Sequence, residues 1–215
     1  VNAEKAFSQA LKLRPGDPRA LLGLARVEIE IARTYDGALR HIAAVEEVDP
    51  RSPGAKRLRA VIDILGERPD EALTTLKMVL ADNPSDLEAL SLVAAARDAQ
   101  ADRKGFEAAL RKIRKVRKGY ADVFTTVARF AERQNRYKAA IRLAKRALDT
   151  DPDHWPAHAI LGVQYTRTGE EDRGRRHLER YYEHDDYNVR VANMLNLYER
   201  WIGDYVWIED PDVRI

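Results

Sequence analysis

His154 and His158 stand four residues apart, the spacing at which two imidazoles on one helix face can hold a zinc ion. Between them lie Trp155, Pro156 and Ala157, with no glutamate to act as a general base and no third ligand at local spacing. The pair is therefore expected to serve packing, His154 at a helix boundary and His158 in a bulky helical position. Asp149, Asp151 and Asp153 alternate like the opening of a calcium loop, but Pro152 interrupts them and the glycine and distal glutamate of such a loop are absent. They read as helix-end and turn residues. The run Arg111, Lys112, Arg114, Lys115, Arg117 and Lys118 is broken by Leu110, Ile113 and Val116 at helical spacing, which describes an amphipathic helix with a solvated basic face. Such a face could meet phosphates or another anionic partner. Base-stacking aromatics are missing, because Phe106 and Tyr120 fall at packing or turn positions, so sequence-specific nucleic-acid recognition is not expected. No nucleophile with a base, no glycine-rich phosphate cradle and no paired-carboxylate motif stands out; no catalytic residue, metal site or cofactor is expected.

The elements that would position these residues must come from a chain of 215 residues, 45% hydrophobic and 33% charged, apolar enough for a buried core. Its formal net charge of +2 gives no whole-molecule field that would recruit nucleic acid or an anionic surface, so any basic patch is local. The absence of cysteine removes disulfides and thiolate sites and leaves both reducing and oxidising compartments open. No stretch approaches the roughly 18 to 20 apolar residues of a membrane-spanning helix, and Val1 to Ala10 lacks an export signal.

Self-similarity organises the rest. Ala3, Phe7, Ala10 and Pro15 recur as Ala38, Ile42, Val45, Pro50 and as Ala72, Leu76, Val79, Pro84, at offsets of 35 and 34. Further units are Ala109, Ile113, Val116 with Ala121 in the proline slot, then Ala140, Ala144, Ala147, Pro152, and last Gly174, Leu178, Tyr181 with Asp186. Their offsets of 37, 31 and 34 imply a three-residue insertion near Gln100 to Gly105, cancelled by a shortened turn near Gly119. A second apolar stripe precedes each of these, for example Leu21, Leu24, Ala25, Glu28 and Phe124, Val127, Ala128, Ala131. Each unit is therefore a pair of helices. The helices are expected at 2–13, 18–33, 36–48, 53–65, 69–81, 86–100, 104–117, 121–134, 137–149, 155–168, 171–184 and 187–203. Small residues (Ala25 with Ala38, Ala60 with Ala72, Ala94 with Ala109, Ala128 with Ala140, Gly162 with Gly174) fall where paired helices would cross closely. Asp17, Ser52, Asp86 and His154 stand near helix starts, Asp86 as the strongest N-cap.

The period, the small residues at fixed positions and the series Trp155, Leu161, Gly162, Tyr165, Gly169, Gly174 resemble the tetratricopeptide repeat, from the first residues to about Arg200. The resemblance implies an all-α, right-handed solenoid of antiparallel helix pairs, about five full repeats with a half repeat at each end. It covers 1–203 and leaves 204–215 as a tail in which Tyr205 to Glu209 could begin a strand. It also implies a concave wall lined by set positions of the first helices: Arg19, Arg26, Arg57, Arg129, Arg133, Arg167, Arg190 and Asn193. Guanidinium forks suit carboxylates, so the expected partner is a protein or an acidic peptide. Glu30, Glu88, Asp98, Asp122 and Glu132 share those positions and could instead pair with the arginines. The family's chaperone-tail clamp does not carry over, since Leu22 and Arg26 occupy its lysine and asparagine positions.

The opening on a second helix and the close on an unpartnered first helix suggest a part of a longer polypeptide. The run from Asp185 to Glu199, with the Trp207 segment, resembles the junction at which such repeats precede a gluzincin-type zinc peptidase domain. The peptidase motif H-E-x-x-H is absent here. Three functional expectations result: an interaction scaffold binding a peptide or neighbouring domain in the groove, the repeat region of a zinc peptidase, and electrostatic binding of nucleic acid or another anionic partner on the 103–118 helix.

Overall fold

The computed structural model describes residues 2–31 and 34–204; the strand expected at Tyr205 to Glu209 lies outside them. Among the described residues every regular element is a helix: α1 (Asn2–Leu13), α2 (Pro18–Ile31), α3 (Asp36–Val48), α4 (Pro53–Leu65), α5 (Pro69–Asp82), α6 (Leu87–Ala99), α7 (Arg103–Val116), α8 (Asp122–Arg133), α9 (Tyr137–Thr150), α10 (Trp155–Arg167), α11 (Glu171–His184) and α12 (Val189–Asp204). Helices α2 to α11 form five consecutive hairpins, flanked by α1 and α12. Each first helix also packs on the next first helix, so the hairpins stack into a solenoid.

Local chemistry fixes the boundaries. Asp86 accepts the Ala89 N–H at 2.8 Å, and Asp17 accepts those of Arg19 and Ala20 at 2.8 and 3.1 Å. These carboxylates satisfy donors that the first helical turn leaves free and sit at the positive end of the helix dipole. Asp102, unnoticed in the sequence, does the same for Gly105 at 2.9 Å. Pro53, Pro69 and Pro156 occupy the first turns, where a missing N–H costs nothing.

The turn inside four successive hairpins is one repeated device. The N–H groups of Arg68, Asp102, Arg136 and Glu170 bond back to the carbonyls of Asp63, Arg97, Ala131 and Tyr165 at 2.8 to 2.9 Å. This six-residue closure holds the preceding residue left-handed: Glu67, Ala101 and Asn135 at φ 59°, 55° and 58°, and Gly169 at 78°. Only glycine sits there without a Cβ penalty. Ala101→Gly is expected to stabilise the array by about 0.5 to 1 kcal/mol, the relieved strain exceeding the freedom glycine adds to the unfolded chain. Urea unfolding would show it as a higher midpoint at unchanged slope.

The third hairpin corrects the sequence register. Helices α5, α7, α9 and α11 begin at Pro69, Arg103, Tyr137 and Glu171, a constant stride of 34. The residues in step with Ala72, Leu76, Val79 are therefore Phe106, Leu110 and Ile113, all buried, whereas Val116 is 41% exposed. No insertion exists between Gln100 and Gly105, and Lys118, not Ala121, stands in the proline slot. Phe106 occupies a position that other hairpins fill with alanine or glycine. The facing helix compensates, since Ala94, Ala95 and Ala96 of α6 are all buried.

A continuous apolar seam runs from Ala60 to Tyr165, continues toward the N-terminus through Leu21 to Ile62, and ends in a smaller group of Val163, Leu178, Val191 and Tyr198. Close approach at the crossings is literal in the last hairpin, where a Cβ on Gly174 would lie 2.9 Å from the Gly162 carbonyl oxygen. Glu28, expected on an apolar stripe, instead turns its carboxylate to His41 at 3.4 Å. Among the described residues no helix is long and apolar enough to cross a membrane.

Candidate functional site

Because first helices pack on first helices, one face of each is left to line a common inner wall. That wall encloses a groove of about 980 Å³. Its floor is apolar, with Leu58, Leu92, Phe130, Ile160 and Val163 among the lining residues, and Tyr120, Tyr137 and Tyr181 stand at its sides. Arg26, Arg57, Arg129, Arg133, Arg167 and Arg190 all line it; Arg19 and Asn193 do not. Both of these are exposed at first-helix positions away from the wall.

The groove's charges are partly satisfied from within. Arg57 is held by Asp86 and by Glu88 at 3.0 Å. Glu132 receives Arg167 at 3.3 Å and Arg190 at 3.6 Å. Asp98, expected to answer a groove arginine, pairs with Arg136 at 2.8 Å, outside the lining. Arg26 and Arg129 are exposed and make no ion pair among the described residues. Arg133 donates to the Tyr35 hydroxyl at 3.4 Å, a contact near the limit of a hydrogen bond that joins the first hairpin to the fourth across the groove. Burial pushes the Tyr181 phenol above its ordinary pKa; it donates to Asp185 at 2.9 Å and accepts from Asn188 at 3.1 Å. The arrangement offers free guanidinium forks above an apolar floor.

Residues 31–96 and residues 128–189 each match a tetratricopeptide repeat family model, and the two segments together cover more than half of the chain. The chain belongs to the tetratricopeptide repeat family. Two solved repeat proteins show the same fold. One, from Parabacteroides merdae ATCC 43184, is 13% identical, with 91% of this chain and 76% of that one covered and a TM-score of 0.61. The other, the thermophilic protein TTC0263 from Thermus thermophilus, is 17% identical over 83% of this chain and 97% of that one, with a TM-score of 0.59. No curated protein matches the chain in sequence.

In this tetratricopeptide array the basic run falls on a second helix, away from the groove. Arg111, Lys112, Arg114, Lys115 and Lys118 are exposed, while Leu110 and Ile113 are buried between them. The two sequence-paired histidines do not meet. His154 lies 3.2 Å from the Thr125 hydroxyl, and His158 turns to His177, Nδ1 to Nδ1 at 2.9 Å. The Nε2–H of His158 points at the Pro152 carbonyl, 3.4 Å away, so its Nδ1 is the acceptor and His177 the donor. Among the described residues no group of three or more metal-ligating side chains forms.

Burial, then His158, Arg176, Arg180 and Lys145, lower the His177 pKa to about 4; burial likewise lowers that of His158. Asp153, itself bound to Arg180 at 3.1 Å, is the carboxylate facing this group. A lowered histidine favours the neutral folded form, so the stability is complete above the ordinary value near 6.5 and is lost as pH falls toward 4. The thermal midpoint is expected to drop between about pH 7.5 and pH 5, and to drop less in His177→Asn, whose amide keeps a donor without titrating. Equal drops in both proteins would remove His177 from the acid response.

The sequence missed the tyrosines. Tyr181 occupies a repeat-pattern core position, yet its side chain lines the groove. Tyr137 begins α9 and carries no pattern signal.

Proposed function

We propose that this tetratricopeptide array is a non-catalytic interaction scaffold that receives an extended acidic peptide along its inner groove. Tetratricopeptide proteins act as protein-interaction scaffolds; the choice of groove and of ligand charge rests on one observation. Arg26 and Arg129 stand exposed without an ion pair among the described residues, over a floor of leucine, phenylalanine and valine. Carboxylates spaced along an extended chain answer the guanidinium groups, and the apolar side chains between them reach the floor. Glu132 and Glu88 already hold three of the arginines, which tunes the groove toward ligands able to displace those contacts or leave them intact.

Calorimetric titration tests the reading. An acetylated peptide of about twelve residues alternating leucine and glutamate spans about 40 Å when extended. It is expected to bind, more weakly as salt rises, whereas the same peptide with lysine for glutamate does not. Equal binding of both peptides, or of neither, overturns the assignment. A neighbouring domain, including a peptidase domain of the kind that follows the junction residues 185–199 resemble, is the other occupant with a basis in the sequence. Reading the gene beyond Ile215 decides whether such a domain follows.

A further inference from the structure

Charge is unevenly distributed along the second helices. α3 carries Arg40 against Asp36, Glu46 and Glu47, and α5 carries Lys77 against Asp70, Glu71 and Asp82. α7 reverses this with six lysines and arginines against Glu107 alone, and α9 has four against Asp149. A molecule with a formal net charge of only +2 thus concentrates its positive charge on two helices.

Those two helices are neighbours. Arg146 of α9 reaches Glu107 of α7 at 3.5 Å, and its guanidinium carbon lies 5.6 Å from the centre of the Phe106 ring. This contact uses up the acidic residue of α7 and leaves the outward cations free. Arg111, Arg114 and Lys115 on α7 and Lys138, Arg142 and Lys145 on α9 are exposed, and none makes an ion pair among the described residues. Along α7 they span five residues and along α9 eight, no more than about 11 Å on either helix. The result is a compact cationic patch on the side of the molecule opposite the groove.

What the patch lacks decides its partner. Protein interfaces have an apolar centre, and membrane-surface helices insert tryptophan, phenylalanine or leucine beside their cations. Among the described residues of α7 and α9, the exposed large apolar side chain is Val116. A surface of charge without an apolar centre suits a partner whose binding comes from released counterions. We propose that the outer face of α7 and α9 binds the phosphate backbone of nucleic acid without reading its sequence. Sequence reading is excluded by the same surface. The rings beside it are buried or already covered: Phe106 and Tyr165 are 7% and 4% exposed, with Lys145 lying 5.5 Å from the Tyr165 ring, and the partly buried Tyr120 lies under the Arg117 guanidinium at 5.6 Å, so no platform is left for a base to stack on.

Fluorescence anisotropy of two labelled duplexes of about 20 base pairs and unrelated sequence tests this on the 215-residue chain. Both are expected to bind alike at about 50 mM salt. Six phosphate contacts predict a loss of about 1,000-fold in affinity by about 200 mM. Arg111→Glu with Lys115→Glu and Arg142→Glu should cost more than about 100-fold at the lower salt and flatten the salt slope by about half. Arg111→Gln with Lys115→Gln and Arg142→Gln gives the same direction should the reversed variant fail to fold. The groove variant Arg129→Glu with Arg133→Glu should bind the duplexes as wild type does.

Absence of binding at about 50 mM salt, or wild-type binding by both triple variants, overturns the proposal. So does loss of binding in the groove variant, which would move the site. Binding to phosphatidylserine vesicles but not to duplex would make the partner a membrane. Salt-sensitive self-association without duplex binding, abolished by the triple variant, would make it the acidic α3 and α5 face of a second copy.

Discussion

Phe106→Ala is expected to destabilise the array by about 3 to 4 kcal/mol, although alanine or glycine stands at the same place in Ala38, Ala72, Ala140 and Gly174. A reading of the repeat pattern alone would make this substitution neutral or favourable. The structure argues the opposite. Phe106 is 7% exposed and lies in the seam that joins the third hairpin to the fourth, where its ring also carries the Arg146 guanidinium. Because Ala94, Ala95 and Ala96 give up volume on the facing helix, a second small residue would leave a cavity that neither helix can close without moving. In a stacked array the loss falls on the nearest interfaces. Urea unfolding would then show an earlier transition, and hydrogen exchange would show α6 and α7 opening together. A change below about 0.5 kcal/mol would mean that Phe106 does not fill the crossing.

Reversing charge at Arg129 and Arg133 is expected to weaken binding of the leucine–glutamate peptide by about 100-fold or more. Each charge-assisted hydrogen bond contributes about 1.5 to 3 kcal/mol, and the introduced glutamates add repulsion. Arg129 has no ion pair among the described residues and Arg133 holds only the long contact to Tyr35, so the fold should not suffer. Arg57 would be a poorer probe. A glutamate there would face Asp86 and Glu88 and destabilise the wall itself. Unchanged affinity in the double variant, with the thermal midpoint also unchanged, would show that the peptide binds elsewhere.

The helix boundaries were legible because proline, aspartate and serine mark them by local sterics and capping, which depend on few neighbours. Eleven of the twelve expected helices begin within a residue of their observed starts. The register of the third hairpin was not legible. Ala109 sits three residues beyond the true position and imitates the small slot, and nothing local reveals that α6 has exchanged volume with Phe106. The left-handed positions were only partly legible, since Asn135 and Gly169 favour that conformation whereas Glu67 and Ala101 carry no signal for it and are held there by backbone bonds alone. Six of the eight expected groove residues line the wall, because the constant stride of the first helices carries one face inward. The Arg133 to Tyr35 contact depends on the curvature accumulated over three hairpins, which no single repeat encodes. The turn of His158 toward His177 likewise depends on how α11 packs.

Hydrogen exchange across the array with saturating leucine–glutamate peptide tests the central claim most directly. The scaffold reading predicts slowed amide exchange in α8 and α10, whose inner faces carry Arg129, Phe130, Ile160 and Val163, with α7 and the part of α9 beyond Tyr137 unchanged. Protection confined to the second helices, with the first helices exchanging as they do without peptide, would contradict it.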